Sequence, residues 1–393
     1  MASSNISESR LFKPLKLGNA QLTHRIAMAP LTRFRNNTNN APLDFTPKYY
    51  ADRGSTPGTL IMSEATGTSM QETGVDQVPA FVTDEQVASW KKVIAAVHEN
   101  KSVWFQQLWG LGRGADPEFQ KRNGYKFMSS SPVPMKEGHP VPEEMTEAEI
   151  LATIDGFVAT AKRVVGAGGD GVEVHGAHGY LLDQFLSDSV NKRTDKWGGS
   201  IENRARLLLM TVKAVVEAIG AEKVGIRLSP YASYQNSESS DIIGQYTYVI
   251  DELKKMNVPF AYLSLVEARG DPDKLGMEQD PSTDHQTLDF ILEKWDNLSP
   301  VVVAGSYTPE TAVRAVDGPY KKWDVIVAFG RNFVSNPDLV YRIKHGLPLN
   351  EYHRPTFYLK GSEIGYNDYP FSKEWAHEQR EAAVASMEVH VQA

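Results

Sequence analysis

Eight short apolar runs, dense in Val, Ile, Leu, Phe and Met, recur along the chain. They are "RIAMAPL" (25–31), "TLIMSEA" (59–65), "SVWFQQLW" (102–109), "GVEVHG" (171–176), "VGIRLSP" (224–230), "FAYLSLV" (260–266), "PVVVAGS" (300–306) and "DVIVAFGR" (324–331). Apolar residues in continuous rather than alternating order mark strands covered on both faces, as in a parallel sheet. Most intervals between the runs carry a helical period. "TDEQVASWKKVIAAVHEN" opens on Thr83 with Gln86 three residues on, and "TEAEILATIDGF" opens on Thr146 with Glu149 three residues on. Both fit capping boxes, and Pro309 after Thr308 sits where a first helical position favours proline.

Strands alternating with helices predict an α/β fold, a (β/α)8 TIM barrel; a doubly wound sheet is the alternative, because the same alternation builds either. The 393 residues suit one large barrel or two ordinary domains, and no Pro-, Gly- or Ser-rich stretch divides them. The reading is a single domain over 1–393, with insertions at about 110–145 and 266–284 decorating the C-terminal face of the barrel. The tail from about 350, with "HRPTFYLKGSEIGYNDYPF", is too aromatic for a disordered end and is expected to pack back on the barrel.

Composition narrows the partners. With 41% hydrophobic and 23% charged residues the chain lies in the ordinary globular range. A formal charge of −8, a pI near 5.7 and no Lys/Arg-rich run argue against nucleic acid or an anionic membrane and for a small molecule. The first twenty residues lack an apolar segment behind a basic flank, and no run of eighteen apolar residues occurs, so a cytoplasmic location is expected. The absence of cysteine excludes disulfides, iron–sulfur clusters, thiolate zinc and cysteine nucleophiles. His, Tyr, Arg, carboxylates or a cofactor must carry the chemistry.

Two glycine motifs are set aside. "GAGGDG" (166–171) closes a helix and opens a strand, the reverse of a dinucleotide fingerprint, and "GLGRGA" (110–115) lacks the helix such a fingerprint needs. The ends of the last two runs, "VAGS" and "AFGR", stand where barrel enzymes seat a phosphate on backbone N–H groups. Gly305 and Gly330 allow close approach, Ser306 adds a donor and Arg331 can clamp oxygens; an ordinary turn with a solvated arginine is the plain alternative. Gln107 and Arg227 fall near strand ends, where a buried charge needs a partner. Arg227 suggests an anionic ligand, such as a reduced flavin ring, or else a pairing with Glu64 or Glu173.

"HGAHGYLLDQF" (175–185) sets His175 and His178 three apart and Tyr180 two further on. The pair could be metal ligands of a barrel hydrolase, satisfied core histidines, or two neutral donors to one developing oxyanion with a tyrosine to supply a proton.

Over nearly its whole length the chain resembles the Old Yellow Enzyme family of flavin-dependent ene-reductases, particularly the fungal branch. The segments that carry the resemblance are "RIAMAPLTRFR", "FQQLWGLGR", "DGVEVHGAHGYLLDQFLSDSVNKRTDKWGGSIENRARLLL", "VGIRLSPY" and "VAFGRNFVSNPDLVYR". The resemblance implies a barrel with non-covalent FMN reduced by NADPH, which passes hydride to the β-carbon of an activated alkene, an α,β-unsaturated carbonyl or nitro compound. It implies that Pro30, Leu31 and Thr32 lie along the flavin with the Thr32 hydroxyl at O4, that the backbone of Ala65 meets the ring, that Gln107 bonds its pyrimidine side, and that Arg227 stabilises negative charge at N1 and O2. Gly305, Ser306, Gly330 and Arg331 would hold the phosphate. His175 and His178 would grip the substrate oxygen, Tyr180 would protonate the α-carbon, and Trp109 and Tyr366 would shape the pocket. Phenolic ligands would inhibit, and the protein would be a monomer or homodimer. Many members carry Asn in place of His178 and some carry Asn in place of Ser306; His24 replaces a more usual Asn. Two alternatives stand beside this reading: a secondary-metabolism reductase or isomerase of one unsaturated aldehyde, and a metal-dependent hydrolase.

Overall fold

The computed structural model describes residues 6–268 and 286–391. Each of the eight runs forms a strand: β1 (Ile26–Met28), β2 (Leu60–Met62), β3 (Val103–Trp109), β4 (Gly171–Gly176), β5 (Val224–Leu228), β6 (Tyr262–Val266), β7 (Val301–Ala304) and β8 (Val325–Phe329). Every residue in them is buried, which is why the runs read as continuously apolar. Neighbours pair in parallel from β1 through β8, β8 pairs back with β1, and the sheet closes as a barrel. The doubly wound alternative is thereby ruled out, since an open sheet would leave two edges.

A helix follows each strand: α1 (Thr46–Arg53), α2 (Asp84–Glu99), α3 (Glu147–Gly166), α4 (Ile201–Ile219), α5 (Ile242–Lys255), α6 (Asp289–Trp295), α7 (Pro309–Asp317) and α8 (Leu339–His345). The capping boxes at Thr83 and Thr146 form in both directions, and Thr308 with Thr311 makes a third. "GAGGDG" is the end of α3 and the turn into β4.

Two apolar layers result. Val325, Val327 and Phe329 of β8 pack outward on helices, whereas Ile326 and Ala328 point into the barrel with Val302, Ala304, Leu60 and Met62. A hairpin that the apolar pattern does not announce, Leu15–Leu17 against Ala20–Leu22, adds Leu15, Leu17 and Leu22 to the interior cluster. His24 is buried just before β1: its Nδ1 accepts from the Ile26 N–H at 3.1 Å and its Nε2 lies 3.0 Å from Thr59 Oγ1. Burial and the charge of Lys344 push its pKa down to about 3, so a neutral imidazole ties the entries of β1 and β2 together.

The first insertion contains a short helix, Pro117–Arg122, and a two-residue pairing of Met128–Ser129 with Glu143–Glu144. The second, 266–284, lies outside the described residues from 269 onward. The tail is fastened by arginines. Arg35 donates to the carbonyls of Thr356, Phe357, Ser362 and Ile364, Arg33 to those of Phe357 and Gly365, and Arg53 to that of Tyr366. Among the described residues no helix is long and apolar enough to cross a membrane.

Candidate active site

Side chains alternate along a strand, and this alternation selects what faces the barrel axis. On β3 Trp104 and Leu108 pack outward, which turns Phe105, Gln107 and Trp109 inward. On β4 Val172 and Val174 pack outward, leaving Glu173 and His175 inside; on β5 Ile226 and Leu228 do so, leaving Arg227 inside. Parallel register then sets Gln107 opposite Glu173, and Arg227 opposite His175 and Ser264. Toward the C-terminal end, the interior therefore changes from apolar to polar.

These residues open into two cavities that share Pro30, Leu31, His178 and Arg227. The larger, about 520 Å³, is also lined by Thr32, Ala65, Gln107, Trp109, His175 and Tyr180. The smaller, about 390 Å³, is lined by Gly305, Ser306, Gly330 and Arg331. All the residues singled out in the sequence thus meet along one trough except Tyr366. Tyr366 is fully buried, stacked on Tyr49 with ring centres 3.8 Å apart and planes at 7°. Its expected place at the pocket is corrected: Tyr358, eight residues earlier and 63% exposed, lines the mouth together with Phe357. Sequence reasoning also missed Tyr234, Gln235 and Met135 at the same mouth.

Buried polarity at the larger cavity is organised. Gln107 Nε2 donates to Glu173 Oε1 at 2.6 Å, leaving the amide oxygen and a second N–H for the cavity. Glu173 is fully buried; burial pushes its pKa up while Arg227 and the Gln107 bond pull it down. Arg227 is 6% exposed and donates from Nη1 to Ser264 Oγ at 3.2 Å. Burial lowers its pKa and Glu173 opposes that, so the two alternatives for Arg227 combine: Glu173 supports the charge and the cavity receives it. Glu64 has another task, accepting the Arg33 N–H at 3.2 Å.

His175 accepts the Ala177 N–H on Nδ1 at 3.3 Å, and this assigns its proton to Nε2. Burial, His178 and Arg227 together hold its pKa well below the usual value, so it is a neutral donor. The His178 ring centre is 5.9 Å away and that of Tyr180 is 5.3 Å away. His178 itself has φ 55°, and its N–H donates to Ser229 Oγ at 2.8 Å. Asn and His tolerate this left-handed conformation better than most residues and both can donate, which accounts for either at this position. Ser306 also adopts a left-handed conformation, with φ 53°. Burial pushes the Tyr180 phenol up, keeping it protonated. Trp109, 4.6 Å from Tyr180 between ring centres, has its buried Nε1 without a hydrogen-bond partner among the described residues.

At the smaller cavity Arg331 is within 3.2 Å of Tyr352 Oη and 3.3 Å of Ser306 Oγ. A Cβ on Gly305 would lie 2.8 Å from Glu267 Oε2, and one on Gly330 would lie 3.3 Å from Leu31 Cδ2. Among the described residues no group of three or more His, Asp or Glu could hold a metal, and the hydrolase alternative finds no support.

The barrel carries at the C-terminal ends of its strands a trough with the buried Arg227 at its centre and the Gly305 and Gly330 turns at one end. Residues 10–350 match the NADH:flavin oxidoreductase / NADH oxidase family, and the chain belongs to it. The Old Yellow Enzyme from Pichia sp. AKU4542 has a crystal structure that superposes with a TM-score of 0.84 at 37% identity, covering 93% of this chain and 95% of that one. The NADP-dependent oxidoreductase lnbE of Aspergillus flavus is 44% identical over 93% of this chain and 97% of its own length. The chanoclavine-I aldehyde reductase fgaOx3 of Penicillium roqueforti is 44% identical over 93% and 98%. The protein is a flavin oxidoreductase of the Old Yellow Enzyme type, with non-covalent FMN as cofactor. The residues present fit that group: the buried Arg227 and the Gln107 amide face one cavity, and the Gly305 and Gly330 turns with Arg331 face the other.

Proposed function

We propose that the protein is an NADPH-dependent ene-reductase acting on α,β-unsaturated carbonyl compounds, an unsaturated aldehyde of fungal secondary metabolism in particular. The observation that carries this reading is the neutral His175, with Nε2–H assigned by its own backbone contact, beside His178 and Tyr180 at one cavity wall. FMN reduced by NADPH would supply hydride chemistry at this site, for delivery to a substrate β-carbon. His175 and His178 donate to the carbonyl oxygen and stabilise the charge that develops there, a contribution greater in the transition state than in the ground state. Tyr180 gives its proton to the α-carbon. Gln107 and Arg227 hold the pyrimidine side, Pro30, Leu31, Thr32 and Ala65 line the ring, and Gly305, Ser306, Gly330 and Arg331 hold the phosphate. The aldehyde is favoured by the similarity to fgaOx3, and the protonated Tyr180 favours net reduction over isomerisation.

The test is direct. The purified protein should be yellow, bleach anaerobically on adding NADPH, and recover its colour when an enal or enone is added, with one saturated product formed per NADPH. A colourless protein, or colour recovery without a saturated product, would remove the proposal.

A further inference from the structure

Tyr180 must regain a proton after every turnover, and it shares the cavity wall with Tyr234, both half-buried. Trp109 and His175 pack on its ring, and its hydroxyl is hydrogen-bonded to the side chains of Tyr234 and Gln235. The Tyr234 bond favours the protonated phenol, and either hydroxyl can donate in it. The Gln235 bond favours the phenolate, so the amide N–H donates to Tyr180. The rings of Tyr180 and Tyr234 are 6.4 Å apart at 60°, and Tyr234 lines the cavity while remaining half-buried, in reach of solvent.

The turn that carries Tyr234 is built for this position. Gln235 and Asn236 adopt φ 60° and 51°, a left-handed pair without glycine, which persists only where the surroundings hold it. Arg113, 1% exposed, donates to the carbonyls of Gln235 at 2.6 Å and Asn236 at 3.2 Å, and also to those of Val133 and Pro134. Asn236 Nδ2 donates to Met135 O at 2.8 Å. The turn lies directly on the His178–Tyr180 turn: a Cβ on Gly179 would stand 2.7 Å from the Tyr234 carbonyl oxygen.

We propose that Tyr234 is a relay residue, acting through Tyr180, that returns a proton from solvent to Tyr180 after each alkene reduction. In the chemical step the Tyr180 O–H bond breaks and a C–H bond forms at the α-carbon. The Tyr180 phenolate, held meanwhile by the Gln235 N–H, takes the Tyr234 proton, and Tyr234 takes one from water or a buffer acid at the mouth. No electron moves in the relay. The inference rests on the reading of Tyr180 as proton donor.

The test compares one turnover with many in the FMN-loaded Tyr234→Phe enzyme, using NADPH and an enone under anaerobic conditions. Tyr180 starts each experiment protonated, so a single oxidation of pre-reduced enzyme should proceed at the wild-type rate. Steady-state alkene reduction should fall roughly tenfold, with a larger solvent deuterium isotope effect, because refilling becomes limiting. Flavin content and NADPH oxidation in the first half-reaction should not change. Unchanged steady-state turnover would overturn the relay, and so would a single turnover slowed as much as the steady state, which marks a packing role. Tyr180→Phe run in parallel separates the two claims: if it leaves alkene reduction intact, the donor assignment fails and the relay fails with it. If it slows reduction while Tyr234→Phe does nothing, the relay alone fails.

Discussion

In the function we propose, side chains from the barrel interior would perform the recognition at the larger cavity, where Gln107, His175 and Arg227 project from strand ends, each oriented by a second buried group. At the smaller cavity turns would do most of it, with Gly305 and Gly330 admitting the ligand to the backbone and Arg331 adding a partly exposed charge. The contrast separates chemistry from anchoring. A neutral imidazole or a buried guanidinium has its full effect only where water is excluded and its orientation is fixed. A phosphate dianion needs several N–H groups and tolerates solvent nearby. Substitutions at His175 or Tyr180 should therefore change rates with the cofactor retained, and substitutions at Arg331 should loosen the cofactor with the chemistry intact.

The sharpest test of that division is Tyr180→Phe. Alkene reduction should fall by about 10²–10⁴ while reduction of the flavin by NADPH stays near wild type, as rapid-mixing absorbance would show. Equal loss in both half-reactions would break the distinction. His175→Leu comes next, with alkene reduction down by about 10² and phenolic ligands bound correspondingly more weakly in a spectral titration, since one donor to a developing oxyanion is removed. At the other end, Arg331→Ala should weaken FMN about tenfold, near 1.4 kcal/mol, with kcat recovered when excess FMN is supplied. If kcat stays low at saturating FMN, the two ends are not separable.

The smallest effect concerns Asp183, beneath the His178–Tyr180 turn, where its Oδ2 accepts the Gly179 N–H at 2.7 Å. Burial raises its pKa from 3.8 to about 7. An acid whose folded pKa lies above its unfolded value binds more protons when folded, so it costs stability at pH values above 7, and that cost fades as pH falls toward 4. Asp183→Asn removes the titration and keeps the acceptor. Its Tm should therefore drop by less than the wild-type value between pH 6 and pH 8, a difference of about a degree or two at this chain length. Parallel pH profiles would count against the buried acid.

What could be read from the residues follows the same division. Strands covered on both faces announce themselves by continuous apolar runs, and Gln107, His175 and Arg227 stand out because each interrupts a run near its end. Glycines at the ends of β7 and β8 are legible for the same reason of position. The mouth is less so. "TFYLKGSEIGY" offers Tyr358 and Tyr366 with no period to say which ring faces the pocket, and the answer depends on how Arg33, Arg35 and Arg53 fold the segment. Tyr234 was hidden too, because a left-handed Gln–Asn pair carries no glycine to signal a turn. The hairpin at 15–22 is too short for a periodic pattern.

Those three arginines have a consequence for how this enzyme can change. They hold the C-terminal segment mainly by its carbonyl oxygens, which every amino acid possesses, with Arg33 also over the Phe357 ring. Tyr358 can be exchanged without undoing those bonds. Under the proposed function, a change of substrate can be met by redrafting the doorway at Tyr358, with the arginine bonds and the barrel interior left as they were.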